Sequence, residues 1–113
     1  MSTVKTVDTS NTETSSTIEA VRDTVFRTYM VEQTLDELKD NMELAPFSDI
    51  IRQLRDISRR IIDRVNPLSS EDTIKKAQAI VSGLTVLTAN MCSALENPPE
   101  ICKVFIESTS IVE

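Results

Sequence analysis

Histidine and tryptophan are absent from the 113-residue chain, there is a single glycine, and aromatic residues make up only 4%. Without histidine there is no side chain that ordinarily titrates near neutral pH, and the commonest metal ligand is gone with it. The scarcity of glycine and aromatics removes most of the turn chemistry and strand-favouring residues that a many-stranded sandwich or barrel requires. No glycine-rich phosphate loop, dinucleotide fingerprint or metal-ligand spacing occurs, so neither a cofactor nor a metal is implied. The start, Met1 to Asp8, lacks the apolar run of a signal peptide, which predicts an intracellular, cytoplasmic or nuclear protein. The longest uncharged stretch, Ala77 to Leu95, approaches membrane-spanning length. It contains Gln78, Ser82, Gly83, Thr85, Thr88, Asn90 and Ser93, and the expectation is therefore no membrane insertion.

What the chain does contain is 40% hydrophobic and 27% charged residues, material for one helical core. Residues 1–15 are Ser/Thr-rich and nearly without apolar anchors, which predicts a disordered tail. Residues 16–113 are read as one domain, all-α, a compact antiparallel bundle of three long helices plus a short C-terminal helix. Ser16 and Glu19 fit a capping box opening a first helix that meets no Pro or Gly before Met42. Ser48 or Asp49 is expected to cap a second helix that Asn66-Pro67 ends near Val65. Ser69-Ser70-Glu71-Asp72 opens a third, running to Leu95. Asn97-Pro98-Pro99 closes it and starts the fourth, expected from Pro99 to Glu107. Pairs four apart, Asp23 with Arg27, Glu71 with Lys75 and Asp72 with Lys76, add support along these helices.

Helical spacing assigns the core. In the second helix Ile50, Leu54, Ile57, Ile61 and Val65, flanked by Ile51 and Ile62, share one arc, and the segment nearly repeats every seven residues. In the third, Ile74, Ala77, Val81, Leu84, Met91 and Leu95 form a stripe widened by Ile80 and Leu87. The first helix is less regular. Ile18, Val21, Val25 and Tyr29 make one stripe, while Val31, Leu35, Leu38 and Met42 make another, rotated by roughly a quarter to a third of a turn. This mismatch predicts either a kink near Thr28 to Val31 or two faces serving different partners. Cys92 and Cys102 flank Asn97, where a helical hairpin would bring them together; the expected state is two buried thiols acting as small hydrophobes.

Two surfaces are candidates for a protein partner or a second copy of the chain. One is the early stripe Ile18, Val21, Val25, Phe26 and Tyr29. The other is the small, neutral face Ser82, Thr85, Val86 and Ala89 of the third helix, because interface centres are depleted of charge. Charge is segregated. The net −6 of the chain includes −4 over residues 16–45 and +2 over residues 46–68, with the other segments together supplying −4. The five arginines of the second helix include Arg52, Arg55 and Arg59, which form the alternative reading, an anion-binding face of a small helical enzyme or regulator. Asp49, Asp56 and Asp63 run through the same polar face and favour self-pairing. Nucleic acid is not expected, since the basic helix has no aromatic to stack on bases and the chain is acidic overall. No nucleophile–base spacing is present, so catalytic residues are not assigned. The functional expectation is a non-enzymatic helical interaction module, a small subunit or adaptor of a multiprotein assembly that can also self-associate.

Overall fold

A computed structural model describes residues 2–112, with side chains for residues 17–109. The backbone of α1 is helical from Ser2, so the helix does not open at the cap expected at Ser16, and the side chains of residues 2–16, which include the tail expected over residues 1–15, lie outside those described. The elements are α1 (Ser2–Leu38), a 3-10 turn (Met42–Phe47), α2 (Ser48–Arg64), α3 (Glu71–Ala94) and α4 (Glu100–Val112). There is no strand among the described residues.

Each boundary has a local cause. Asn41 stops the chain from continuing α1: its side-chain oxygen accepts from the Glu43 amide at 2.8 Å and opens the 3-10 turn. The first helix consequently ends at Leu38, short of the expected Met42, and Met42 is 90% exposed. Ser48 does not cap α2; it is the first helical residue, and its hydroxyl donates to the Lys39 carbonyl at 3.0 Å, tying the turn back to α1. Ser70 caps α3 as expected, accepting from the Thr73 amide at 3.1 Å. Glu71 and Asp72 follow in the first turn and pair with Lys75 and Lys76 at 3.2 and 3.0 Å. Asn66 makes the intervening turn by accepting from the Leu68 amide. Glu43 closes the far end of the molecule, where its carboxylate accepts the amides of Glu96 and Asn97 just past α3.

The core is organised around α1, which packs on α2, α3 and α4, whereas α2 and α3 meet only marginally. The buried side of α1 is Val21, Thr24, Thr28, Val31, Leu35 and Leu38, alternating three and four residues apart. That is one continuous seam, and α1 passes through Thr28 to Val31 without interruption. The two rotated stripes expected from Ile, Val and Leu alone are joined by threonines. Thr24 donates to the Ala20 carbonyl and Thr28 to the Thr24 carbonyl, at 2.7 and 2.6 Å. With its hydroxyl satisfied by its own helix, each threonine offers its methyl to the core like a valine. Thr34, Ser58, Thr85 and Thr88 bond back to their own helices in the same way.

The seam of α2 lies one flank away from the expected arc. Ile51 and Ser58 are fully buried and Ile61 and Val65 nearly so, while Ile50 is 56% exposed. The small Ser58 at the contact lets α2 approach α1 closely. On α3 the expected Ile74, Ala77, Val81, Leu84 and Leu95 are buried together with Thr88 and Cys92, but Ile80 and Leu87 are left half exposed.

The cysteines are not free thiols. Cys92 and Cys102 form a disulfide with Cα atoms 5.5 Å apart, and both are buried. The Asn97-Pro98-Pro99 turn folds α4 back onto α3 and sets the two sulfurs within bonding reach.

Candidate interaction surface

The early stripe divides between core and solvent. Val21 is buried and Val25 packs against the core, so neither is available to a partner. Ile18, Phe26 and Tyr29 are 39, 53 and 49% exposed, and their spacing of eight and three residues keeps them on one outward strip of α1. The neutral face of α3 divides similarly. Thr85 and Ala89 are half buried, while Ser82 and Val86 are exposed.

The two predicted surfaces meet at one place. Phe26, Arg27 and Met30 of α1, Thr85 of α3 and Phe105, Ser108 and Thr109 of α4 line a cleft of about 40 Å³, room for roughly one water-sized group. Phe105, wholly buried, forms its apolar wall. At its edge Arg27 Nε lies 3.1 Å from Asp23, an ion-pair distance, but without the alignment of a hydrogen bond. Ser82 faces a neighbouring hollow that it shares with Asp23, Thr24, Arg27, Gln78 and Val81. A third hollow, of about 540 Å³, lies along the turn between α3 and α4 beside Pro98, Pro99 and Lys103.

The arginine face is largely occupied by acid. Arg59 reaches Glu32 at 3.2 Å and Asp63 at 3.5 Å, and the Glu32 side chain is only 9% exposed. Arg55 bridges Asp36 on α1 and Asp56 on its own helix, at 3.1 and 3.2 Å. Of the three arginines in the anion reading only Arg52 has no ion-pair partner among the described residues. Hydrogen bonds from Lys39, and then from Arg55, hold the Asp36 carboxyl below the usual aspartate range. Asp40 and then Asp36 raise the Lys39 ammonium, and Asp36 and then Asp56 raise Arg55. Since the folded state lowers the affinity of Asp36 for a proton, its stabilising contribution is present above its ordinary value of 3.8 and is lost as pH falls through the lower folded value. Asp36→Asn is therefore expected to be less stable than the parent at neutral pH, with the two urea midpoints converging as the pH falls below the ordinary aspartate value of 3.8. A gap that stays constant as the pH falls below that value rules the Asp36 linkage out.

Among the described residues no group of three or more Asp, Glu, Cys or His is placed to hold a metal. Among them α3 is the single helix long and apolar enough to cross a membrane by length and composition, with mean hydropathy 1.2 over its most apolar window. Its inward stripe nonetheless carries the core contacts already described. The residues missed from the sequence are Ile50, Ile80 and Leu87. Each sits at a core-like helical position yet is about half exposed, on a flank of its helix's buried seam. Comparison with known protein families, curated proteins and solved structures finds no match to this chain.

Proposed function

We propose that the protein is a non-enzymatic helical interaction module, a small subunit or adaptor that docks on another protein or on a second copy of itself. The observation that carries this reading is the outward strip Ile18, Phe26 and Tyr29, three large apolar side chains each 39% or more exposed on one side of α1. Large apolar side chains gathered on one exposed side of a helix are candidates for association. Exposed Val86 and Ser82 extend the surface across α3. Arg55 and Arg59 support the same reading against the anion site, since each is already paired with carboxylates of this chain.

We also infer the finer architecture, an antiparallel bundle of three long helices and a short C-terminal one. Its support is the order of the cross-links: Asp36 pairs with Arg55 and Glu32 with Arg59, so the contact moves down α1 as it moves up α2. The buried Cys92–Cys102 disulfide weighs against a strongly reducing compartment.

The test is mass in solution by sedimentation, free and after recovery with bound partners, for the parent and for Phe26→Asp. The parent is expected in a complex or oligomer. Phe26→Asp is expected to stay folded, because the ring is half exposed, yet to lose association by about tenfold or more. A parent that is monomeric at every concentration and recovers no partner defeats the proposal.

A further inference from the structure

We propose that the Cys92–Cys102 disulfide is a redox latch: a dithiol reductant opens it, and α4 then leaves a body of α1, α2 and α3 that stays folded. This goes beyond the outward strip of α1 and does not depend on it. The latch rests on how little else holds α4. The helix has 13 residues, a length at which an isolated helix is marginal in water, so it persists only where it is docked. Cys102 and Phe105 are its only wholly buried side chains among the described residues, whereas Val104 and Ile106 of the same helix are 45 and 38% exposed. Once the bond to Cys92 is cut, Phe105 is the one large buried side chain left to hold the helix.

The rest of the fold has its own contacts. α2 packs directly on α1, with Arg55 and Arg59 paired to Asp36 and Glu32 across the contact, and α3 packs directly on α1 as well. The pivot is set by the chain between α3 and α4. Glu43 accepts the amides of Glu96 and Asn97, which ties the end of α3 to the 3-10 turn, and Pro98 and Pro99 follow with no amide hydrogen to donate. Motion of α4 therefore begins at the two prolines. Its departure uncovers Phe105 together with Met30 and Thr85, which line the same cleft.

A small reductant has a way in. Both cysteines lie in the lining of the hollow of about 540 Å³ along the turn between α3 and α4. Cys92 and Cys102 are only 2 and 1% exposed, so the bond is shielded while α4 is seated and is attacked when the helix lifts. A thiolate of the reductant bonds to one sulfur and breaks the Cys92–Cys102 bond, and the second thiol of the reductant then displaces the cysteine held in the mixed disulfide. The dithiol ends as a disulfide, having given up two electrons, and its two protons end on the Cys92 and Cys102 thiols.

The test is residue-resolved amide exchange of the full-length protein, oxidised and after dithiothreitol, well below the melting temperature, with free-thiol titration alongside. In the reduced protein the amides of α4 are expected to exchange within about tenfold of the free-chain rate, while residues 24–35 stay slower than that rate by about a hundredfold or more. An apolar dye is expected to gain fluorescence on reduction and to lose it on reoxidation. Cys92→Ala with Cys102→Ala should behave as the reduced parent, with or without dithiothreitol. An α4 that keeps its oxidised protection with both thiols free overturns the latch. So does loss of protection in residues 24–35 together with α4, since the bond then holds the whole fold, and so does a bond that dithiothreitol fails to open in the folded protein. None of these outcomes bears on Phe26→Asp, which tests the α1 strip.

Discussion

Phe105→Ala is expected to lower the stability of the protein by about 3–5 kcal/mol, the range seen when a large aromatic is removed from a core. Phe105 is wholly buried and is the largest such side chain among the described residues. It occupies the position where α4 closes over α1 and α3, in contact with the cleft that Met30 and Thr85 line. Few neighbours can move in to refill the space. Thr85 and Thr88 are held by bonds to their own helix, and Cys102, one turn earlier on α4, is locked to Cys92. Since a domain has only about 5–15 kcal/mol in total, the loss is a large share of it. Urea denaturation is the measurement: the midpoint should fall with little change of slope. Val104→Ala, at a site 45% exposed on the same helix, is the control and should cost less than about 0.5 kcal/mol. If Phe105→Ala costs no more than that control, α4 is not docked as described.

Removing the disulfide by Cys92→Ala with Cys102→Ala is expected to cost about 3 kcal/mol, from the chain entropy restored to the unfolded state when a short loop is opened. The sequence separation is 10 residues, so the loop belongs at the modest end of such effects. Alanine is chosen over serine because both sites are buried and a hydroxyl there would need a partner. For a domain of this size the loss should lower Tm by more than roughly 10 °C. A dithiol reductant should lower the parent toward the variant and leave the variant where it is. A parent that melts identically with and without reductant, while free-thiol titration confirms reduction, sinks the prediction.

Both effects concern the attachment of α4, whose limits and cysteines were only partly legible in the sequence. The prolines and asparagines around Pro46, Asn66 and Asn97 marked every inter-helix turn, because these residues act through local backbone constraints. Caps were readable where a side chain serves its own turn, as at Ser70. They were not readable at Ser48, where the hydroxyl reaches nine residues back to Lys39. The pairing of Cys92 with Cys102 depended on a tertiary approach that spacing alone leaves open.

The candidate surface shows the same division. Phe26 and Tyr29 could be picked out because an aromatic off the main seam has few other places to go. Val21 and Val25 belong to the core and not to a partner surface, because Thr24 and Thr28, polar in a hydrophobicity pattern, complete the seam with their hydroxyls bonded to their own helix. Ile50 and Ile51 are adjacent, and hydrophobicity could not choose between them. The choice was made by Ser58, a residue whose value to packing is its small size. Ile80 and Leu87 lie at core-like spacings yet on a flank of the buried seam, and which flank is covered is a property of the assembled fold.

The position of α1 has a consequence for how the molecule comes apart. All the other helices rest on it, and α2 and α3 scarcely support each other. No half of the chain can keep a core once this spine is lost. Amide exchange should therefore be slowest along residues 24–35 and reach the global unfolding limit there. α4 and the outer turns of α3 should open earlier, in smaller units.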